Sequence, residues 1–492
     1  MKDLKEKAIK GGLAKACSQG TTVFLRVGSL MVLGRLLSPK EFGLVGMVTA
    51  VIGVLSLFRD FGLSTATVQR EYVSEDQLST LFWINLFVGG ILALFSVGVA
   101  PLVARFYNEP RLVAVTTVLA LGFIFNAAGV QHGALLQRQM RFTAMAIIET
   151  VSLFGSTTLG IIMALRGFGY WSLVAMTVSA SAISSVCVWI ACTWIPGMPR
   201  KGVGVRSMMR FGGTITVNSL VVYVAYNLEK VLLGRFWGAD AIGIYGRAYQ
   251  LITIPTDNLN SSIGGVAFSA LSRIQNDPER LKSYFLKGYS LVLTLTLPIT
   301  FACALFAPDV IFVVLGPKWK DAAAIFRLLA PTILIFAIIN PLAWLLFSIG
   351  MVARSLKIVL VLAPLVIIGY LIGLPHGPQG VAFAYSLVMT LWVVPHVYWC
   401  VHGTMISFRD ITLAVGRPLL SGILAAGVSL AAQVYYGPLL APLPRLILGG
   451  TILLGVYVGM LFYVMGQKTI YLDLLRNLRR RPTVEEKALV SA

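Results

Sequence analysis

The sequence predicts an all-α polytopic membrane protein assembled around a repeated helical half. Three observations predict it. Hydrophobic residues make up 57% of the 492-residue chain and charged residues only 12%, with a mean hydropathy of +0.83, whereas soluble domains carry roughly 25% charged residues. Apolar runs of about 20 residues, long enough to cross a hydrocarbon core, follow one another with short polar breaks. Finally, "LGRLLSPKEFGLVG" at 33–46 returns as "LGRFWGADAIGIYG" at 233–246. Leu33, Gly34, Arg35, Gly43 and Gly46 recur as Leu233, Gly234, Arg235, Gly243 and Gly246 without a gap, and Gly12 lines up with Gly212 at the same offset.

The elements follow in order. The opening "MKDLKEKAIKGGLAK" is basic and leads into an apolar span without the small-residue cleavage site of a secretory signal. With Leu4, Ala8 and Ile9 near one side, it is expected to form a short interfacial helix. Spans are then expected at 17–37, 42–66, 80–104, 112–132, 142–165, 168–194, 211–234, 241–268, 285–307, 324–349, 356–374, 379–401, 412–436 and 442–466, about fourteen in all. Only "PHGPQG" separates the pair at 356–374 and 379–401.

Charge orients these spans. Counting span ends, 26 of the 40 Lys and Arg fall on the side of the N-terminus and 11 on the other, with Arg26, Arg59 and Lys230 inside spans. The positive-inside rule then places both termini in the cytoplasm. The formal charge of +20 is spread over cytoplasmic loops and the tail "RNLRRRP", a distribution suited to anionic lipid headgroups rather than nucleic acid. The five cysteines and four histidines are scattered without metal-ligand or disulfide spacing, so no metal site is expected.

The repeated string ends the first and the seventh span, so both copies lie on the same membrane side and run in the same direction. That is a parallel repeat about an axis along the membrane normal, as in transporters built from two six-helix halves. The basic stretch "PGMPRKGVGVRSMMR" at 196–210 falls where two such halves would join. The fold argument points to a secondary transporter.

More particular text follows. "EFGLVGMVTAVIGVLSLFRDFGLSTATVQR" at 41–70, "NLEKVLLGRFWG" at 227–238, "YGRAYQLITIPTDNLNSSIGGVAFSALSRIQNDPERL" at 245–281 and "LGPKWKDAAAIFRLLAP" at 315–331 resemble the Wzx-type polysaccharide flippases, close to the colanic-acid-exporter branch. The resemblance spans roughly residues 10–405 and implies the fold of the multidrug, oligosaccharidyl-lipid and polysaccharide exporter superfamily. That fold is two six-helix lobes in a V plus two C-terminal helices. On this chain it gives a basic N-terminus at 1–16, an N-lobe at 17–195, a linker at 196–210, a C-lobe at 211–403, two further helices within 404–466 and a basic tail at 467–492. The implied cargo is an oligosaccharide repeat unit linked by pyrophosphate to undecaprenol, turned from the cytoplasmic to the periplasmic leaflet of the bacterial inner membrane. A polysaccharide polymerase and a chain-length regulator are implied partners, and H⁺ or Na⁺ is the implied coupling ion. No other cofactor is expected.

A flippase cavity must offer cations to an anionic headgroup, and hydroxyls, amides and aromatic faces to sugars. Ionisable side chains at a helix centre cost at least ~2.5–3.5 kcal/mol on insertion scales, so those inside spans are functional candidates. Arg26 sits near the middle of the first span with no acid one turn away; it either pairs with an acid on another helix or contacts the headgroup. In the seventh span Ser219, Tyr223, Tyr226, Asn227 and Lys230 fall on one polar-aromatic stripe, read as either a helix-packing seam or a sugar-contacting wall. Arg59 and Asp60 near the end of the second span form an interhelical pair or a gate. Arg247 in the eighth span shares a face with Gln250 and Asp257. Glu149, Glu229, Asp60 and Asp257 are the counter-charge or ion-coupling candidates. Five prolines, Pro298, Pro331, Pro341, Pro364 and Pro395, punctuate the later spans, where each removes a backbone donor and bends its helix.

Other classes fit less well. A drug antiporter on the same fold wants an acid-rich cavity, and Arg26, Arg59, Lys230 and Arg247 argue for an anionic cargo. A peptidoglycan-precursor flippase also carries a pyrophosphate, and only the strings at 245–281 and 315–331 set it apart. A glycosyltransferase or polymerase would need a large periplasmic loop or an acid-rich catalytic segment. No P-loop motif occurs. The sequence predicts a non-enzymatic flippase.

Overall fold

The computed structural model describes residues 20–59, 64, 67–68, 73–200, 220, 223–224 and 226–466. The N-terminal segment through 19, Asp60, the linker from 201 to 219 with Ser219, and the tail from 467 lie outside the described residues. Among those described, every regular element is helical. Helix α1 covers 20–36. It is followed by α2 (Pro39–Ser56), α3 (Glu75–Tyr107), α4 (Leu112–Arg138), α5 (Phe142–Leu165) and α6 (Trp171–Ala191). Beyond the linker come α7 (Leu228–Arg273), α8 (Pro278–Leu305), the short α9 (Ala307–Val314), α10 (Ala322–Leu329) and α11 (Pro331–Ser348). Helices α12 (Val352–Gly373), α13 (Gly377–Val401), α14 (Phe408–Tyr436) and α15 (Pro442–Gly459) complete the order. Among the described residues, ten helical stretches are long and apolar enough to cross a membrane.

Local chemistry sets the ends. At the start of α2 the Ser38 backbone N–H and hydroxyl donate to the Glu41 carboxylate at 2.6 and 2.9 Å. Pro39 at the first helical position lacks only an N–H that would have no helical partner. Ser74 with Gln77 and Ser407 with Asp410 build the same reciprocal cap on α3 and α14. Helix α3 stops at Asn108, which takes the left-handed conformation at φ 53°, tolerated by a short amide side chain.

Two expectations are corrected, and one break falls where it was expected: between the spans at 211–234 and 241–268, the helix Leu228–Arg273 is interrupted at Gly238 (φ 81°, ψ −173°). A single glycine suffices because its missing Cβ admits a positive φ. The polar stripe of the seventh span does not follow one continuous helix. Tyr226 and Asn227 form a turn, Asn227 (φ −135°, ψ −3°) precedes α7, and its side-chain amide donates to the Tyr223 carbonyl at 3.0 Å. An asparagine competing for a backbone acceptor in this way interrupts the helical ladder. The break between α12 and α13 is also tighter than predicted, a single 3₁₀ turn at Leu374–His376.

The repeated string explains how the two halves meet. Helix α2 packs along α7. A Cβ added at Gly43 would stand 1.7 Å from the Ala239 carbonyl oxygen, and one added at Gly243 would stand 1.9 Å from that of Pro39. Position 43 meets 239 while 243 meets 39, the reciprocity that a two-fold relation imposes on a contact. Glycine on both sides lets the backbones touch.

Around this contact the end of α1 is clasped by the segment after α9. Trp319 Nε1 donates to the Gly34 carbonyl at 2.7 Å, and Lys318 Nζ to those of Arg35 and Leu36 at 3.2 and 3.4 Å. These bonds satisfy C-terminal carbonyls that have no partner within the helix. In return Arg35 Nη2 donates to the Val313 carbonyl at 2.8 Å. Arg35's repeat mate, Arg235, crosses in the other direction and lies 5.5 Å from the Phe106 ring at the end of α3. Helix α15 is held to α9 by Arg445, whose Nε lies 3.0 and 2.9 Å from the two oxygens of the buried Asp309 carboxylate.

Candidate functional site

Between α2 and α7 lies a cavity of about 340 Å³. Phe42, Gly46 and Thr49 of α2 form one wall, and Lys230, Arg247, Tyr249, Gln250 and Thr253 of α7 form the other. Gly46 and Gly243 line it beside the close approaches of Gly43 to Ala239 and of Gly243 to Pro39. Arg247 stacks on Phe42 at 4.5 Å and donates through Nη1 to Gln250 Oε1, while its buried Nε has no hydrogen-bond partner. Among the described residues no carboxylate pairs with it. Lys230 Nζ donates to Asn227 Oδ1 at 2.7 Å and stands 5.6 Å over the Tyr249 ring. The break before α7 therefore has a purpose: it aims the Asn227 amide at the lysine that lines the cavity.

Behind this wall Glu229 is 1% exposed and neither carboxylate oxygen has a hydrogen-bond partner. Lys230 Nζ is 4.0 Å away. Tyr245, Tyr249, Tyr370 and Tyr385 form an aromatic cluster. These tyrosines are stacked or tilted against one another at 5.6–6.4 Å between ring centres. The hydroxyls of Tyr245 and Tyr385 are buried without partners as well.

The other predicted residues fall in four places. Arg26 meets Glu149 of α5 at 3.7 Å, with 58% and 59% of the side chains exposed, and its charge reaches Asp257, itself exposed on α7. Arg59, just past the end of α2, lines a different cavity of about 270 Å³ with Asn126 and the serines of α6. Tyr226 lines a third, of about 130 Å³, with Asn340, Ser355 and His396. Tyr223 instead bridges the halves: its hydroxyl donates to the Ala50 carbonyl at 3.2 Å and sits where a Cβ on Gly53 would be.

The structure thus brings Lys230, Arg247 and Asn227 to one site, sets Glu229 immediately behind it, and puts Arg26 with Glu149. Sequence reasoning missed Phe42, Thr49, Tyr249 and Thr253. Phe42 and Tyr249 had a usable signal, since Phe42 lies inside the repeated string and Tyr249 just beyond its second copy.

This is a helical membrane fold with a cationic cavity between α2 and α7, the two helices that carry the repeated glycines. The fold matches that of "Lipid II flippase MurJ, inward closed conformation" with a TM-score of 0.74 over 96% of this chain and all of that one, at 14% identity. An inward-facing multidrug resistance MATE family transporter matches with a TM-score of 0.60 over 82% of this chain and 98% of that one, at 13% identity. The model of the polysaccharide biosynthesis protein family matches residues 32–324. The chain belongs to that family. Its relatives include the lipopolysaccharide biosynthesis protein WzxC of Escherichia coli, 26% identical over 88% of each chain. The teichuronic acid biosynthesis protein TuaB of Bacillus subtilis is 26% identical over 69% of this chain and 71% of its own.

Proposed function

We propose that the protein turns an undecaprenyl-pyrophosphate-linked oligosaccharide repeat unit from the cytoplasmic to the periplasmic leaflet, for exopolysaccharide, capsule or O-antigen assembly. The observation that carries this reading is Arg247: a half-buried arginine whose buried Nε has no hydrogen-bond partner and which no carboxylate among the described residues pairs with, beside Lys230 in the cavity between α2 and α7. An uncompensated cation inside a membrane fold is expensive to keep and is kept where an anion visits it. Each charge-assisted contact to a pyrophosphate returns ~1.5–3 kcal/mol of what the headgroup loses on leaving water.

In this reading about fourteen helices cross the inner membrane, both termini are cytoplasmic, and the halves are lobes that rock about the α2–α7 contact. The clasp of Arg35, Lys318 and Trp319 lies on the periplasmic side and is closed. Glu229, buried behind Lys230, is the coupling site for H⁺ or Na⁺. The product passes to a polymerase and a chain-length regulator. An antiporter of cationic drugs is disfavoured, because both charges on the cavity wall are positive.

The test combines deletion in the host with Arg247→Ala, Lys230→Ala and the double variant. Deletion should leave the lipid-linked glycan on the cytoplasmic leaflet. Each single variant should lower export at least tenfold at an unchanged level of membrane-inserted protein. Wild-type export by the double variant would reject the cationic-cavity mechanism.

A further inference from the structure

Asn227 stands just before α7, where helices often carry a capping side chain, yet it caps nothing. An asparagine in this position ordinarily accepts from a backbone N–H of the first turn, and Asn227 makes no such bond. Its amide is engaged by two other groups. Oδ1 accepts from the Lys230 ammonium at 2.7 Å, and Nδ2 donates to the Tyr223 carbonyl at 3.0 Å. In a continuous helix that carbonyl would take the backbone N–H of residue 227, which here reaches Val224 at 3.4 Å instead. One end of the amide thus replaces the helical bond it interrupts, and the other end holds a lysine of the cavity wall. Tyr223 carries the chain of contacts onward to α2. Its hydroxyl donates to the Ala50 carbonyl at 3.2 Å and occupies the space that a Cβ on Gly53 would fill. Phe42, Gly46 and Thr49 line the cavity along α2, so Tyr223 is seated just beyond them, on the side away from Gly43.

We infer that Asn227 is a positioning residue for Lys230, and that it joins the hold on an anionic headgroup to the seating of Tyr223 on α2. The inference rests on the flippase reading and adds to it how the loaded cavity shuts. Lys230 has two partners within reach of its flexible stem: Asn227, and the buried Glu229 carboxylate 4.0 Å from Nζ. An ammonium has three donors, so on Asn227 it keeps others for an anion in the cavity. Closed on Glu229, its charge is cancelled. While Tyr223 is seated, the turn at 226–227 persists and Lys230 is presented to the cavity. When α2 leaves Tyr223, the carbonyl of Tyr223 returns to the backbone N–H of residue 227, the amide lets go of the lysine, and Glu229 takes it. Such a coupling is reciprocal: a diphosphate on Lys230 favours the tethered lysine, hence the turn, hence the seated tyrosine. With both termini cytoplasmic, Tyr223 lies on the cytoplasmic side of the cavity. A headgroup arriving from the cytoplasm therefore draws that side closed behind it.

The test is spin-label distance measurement on the full-length protein in lipid nanodiscs, in a background without native cysteines. Labels go on Thr143→Cys and Ala353→Cys, both exposed, at the starts of α5 and α12. The probes are undecaprenyl pyrophosphate and, as the uncharged control, undecaprenol. Undecaprenyl pyrophosphate should bind at least tenfold more tightly than undecaprenol and move at least half of the population to the shorter distance, whereas undecaprenol should move none. Asn227→Ala should weaken binding of the pyrophosphate at least fivefold and abolish the shift. Adding Glu229→Gln should restore the binding, because it removes the competitor for Lys230, without restoring the shift. Gly53 does not line the cavity. Gly53→Ala, which unseats Tyr223 and keeps Asn227 and Lys230, should also abolish the shift, and it decides the matter if Asn227→Ala does not fold. A shift that persists in either variant, or a binding loss that Glu229→Gln leaves in place, would overturn the coupling. Protein with native residues at 53, 223 and 227 that binds the pyrophosphate without any shift loses the coupling and keeps the flippase reading. If that protein does not tell undecaprenyl pyrophosphate from undecaprenol, both are lost.

Discussion

Arg26 and Glu149 lie 3.7 Å apart with more than half of each side chain exposed. A pair this open to water contributes about 0.2–1 kcal/mol, too little to explain an arginine in the middle of an apolar helix. If its charge serves the cargo instead, Glu149 restrains the side chain between transport events. Arg26→Ala is expected to cut export at least tenfold without lowering protein abundance. Arg26→Lys should recover part of it, because the charge stays while the planar fork is lost. The exchange Arg26→Glu with Glu149→Arg should leave export low, since it restores the pair but moves the cation; full recovery by the exchange would make the pair structural. Singling out Arg26 and Glu149 needed only sequence, because an ionisable residue in an apolar run announces itself. Pairing them needed the fold, as did finding Phe42 under Arg247 and Tyr249 under Lys230. Periodicity tells which face a residue occupies and not what stands opposite it.

At the level of elements, the two copies of the glycine string are the two sides of one contact. Their meaning could be half read from sequence. Equal spacing and polarity predicted a parallel repeat, while the reciprocal meeting of 43 with 239 and 243 with 39 emerges only once α2 and α7 are side by side. The break at Asn227 was illegible for a different reason: it arises from one side-chain amide taking the Tyr223 carbonyl, which no apolar pattern records. The contact has a mechanical consequence. Gly43→Ala or Gly243→Ala puts a methyl group within 2 Å of a backbone carbonyl, where neither side has a flexible end to move. Overpacking of this kind typically costs 1–3 kcal/mol, which shifts an open–closed equilibrium roughly 5- to 150-fold. Both substitutions are expected to hold the clasped side open. The measurement is the reaction of an impermeant thiol reagent, added outside cells, with Thr49→Cys in the cavity wall. Its rate should rise at least fivefold with either alanine, and an unchanged rate would mean that this contact does not limit access.

The whole molecule depends on which way round it sits. Among the described residues, length and composition mark ten stretches as able to cross a membrane. Helix α7 is not one of them, because its polar side chains and the break at Gly238 dilute the apolar run. Orientation comes instead from charge: 26 Lys and Arg on one side against 11 on the other. Each basic side chain near the cytoplasmic surface contributes about 1 kcal/mol of attraction to anionic lipid, so an excess of this size is expected to set the sense of insertion. If the bias sets the orientation, Asn108 at the α3–α4 turn and Lys318 in the clasp face the periplasm, whereas Lys201 in the linker and Arg479 in the tail face the cytoplasm. Single cysteines at these four positions, in a background without native cysteines, distinguish the two senses. Asn108→Cys and Lys318→Cys should react with an impermeant maleimide in intact spheroplasts. Lys201→Cys and Arg479→Cys should react only after the membrane is opened. Labelling of Lys201→Cys from outside would invert the molecule, and the clasp, placed on the periplasmic side by this argument, would then close the cytoplasmic one.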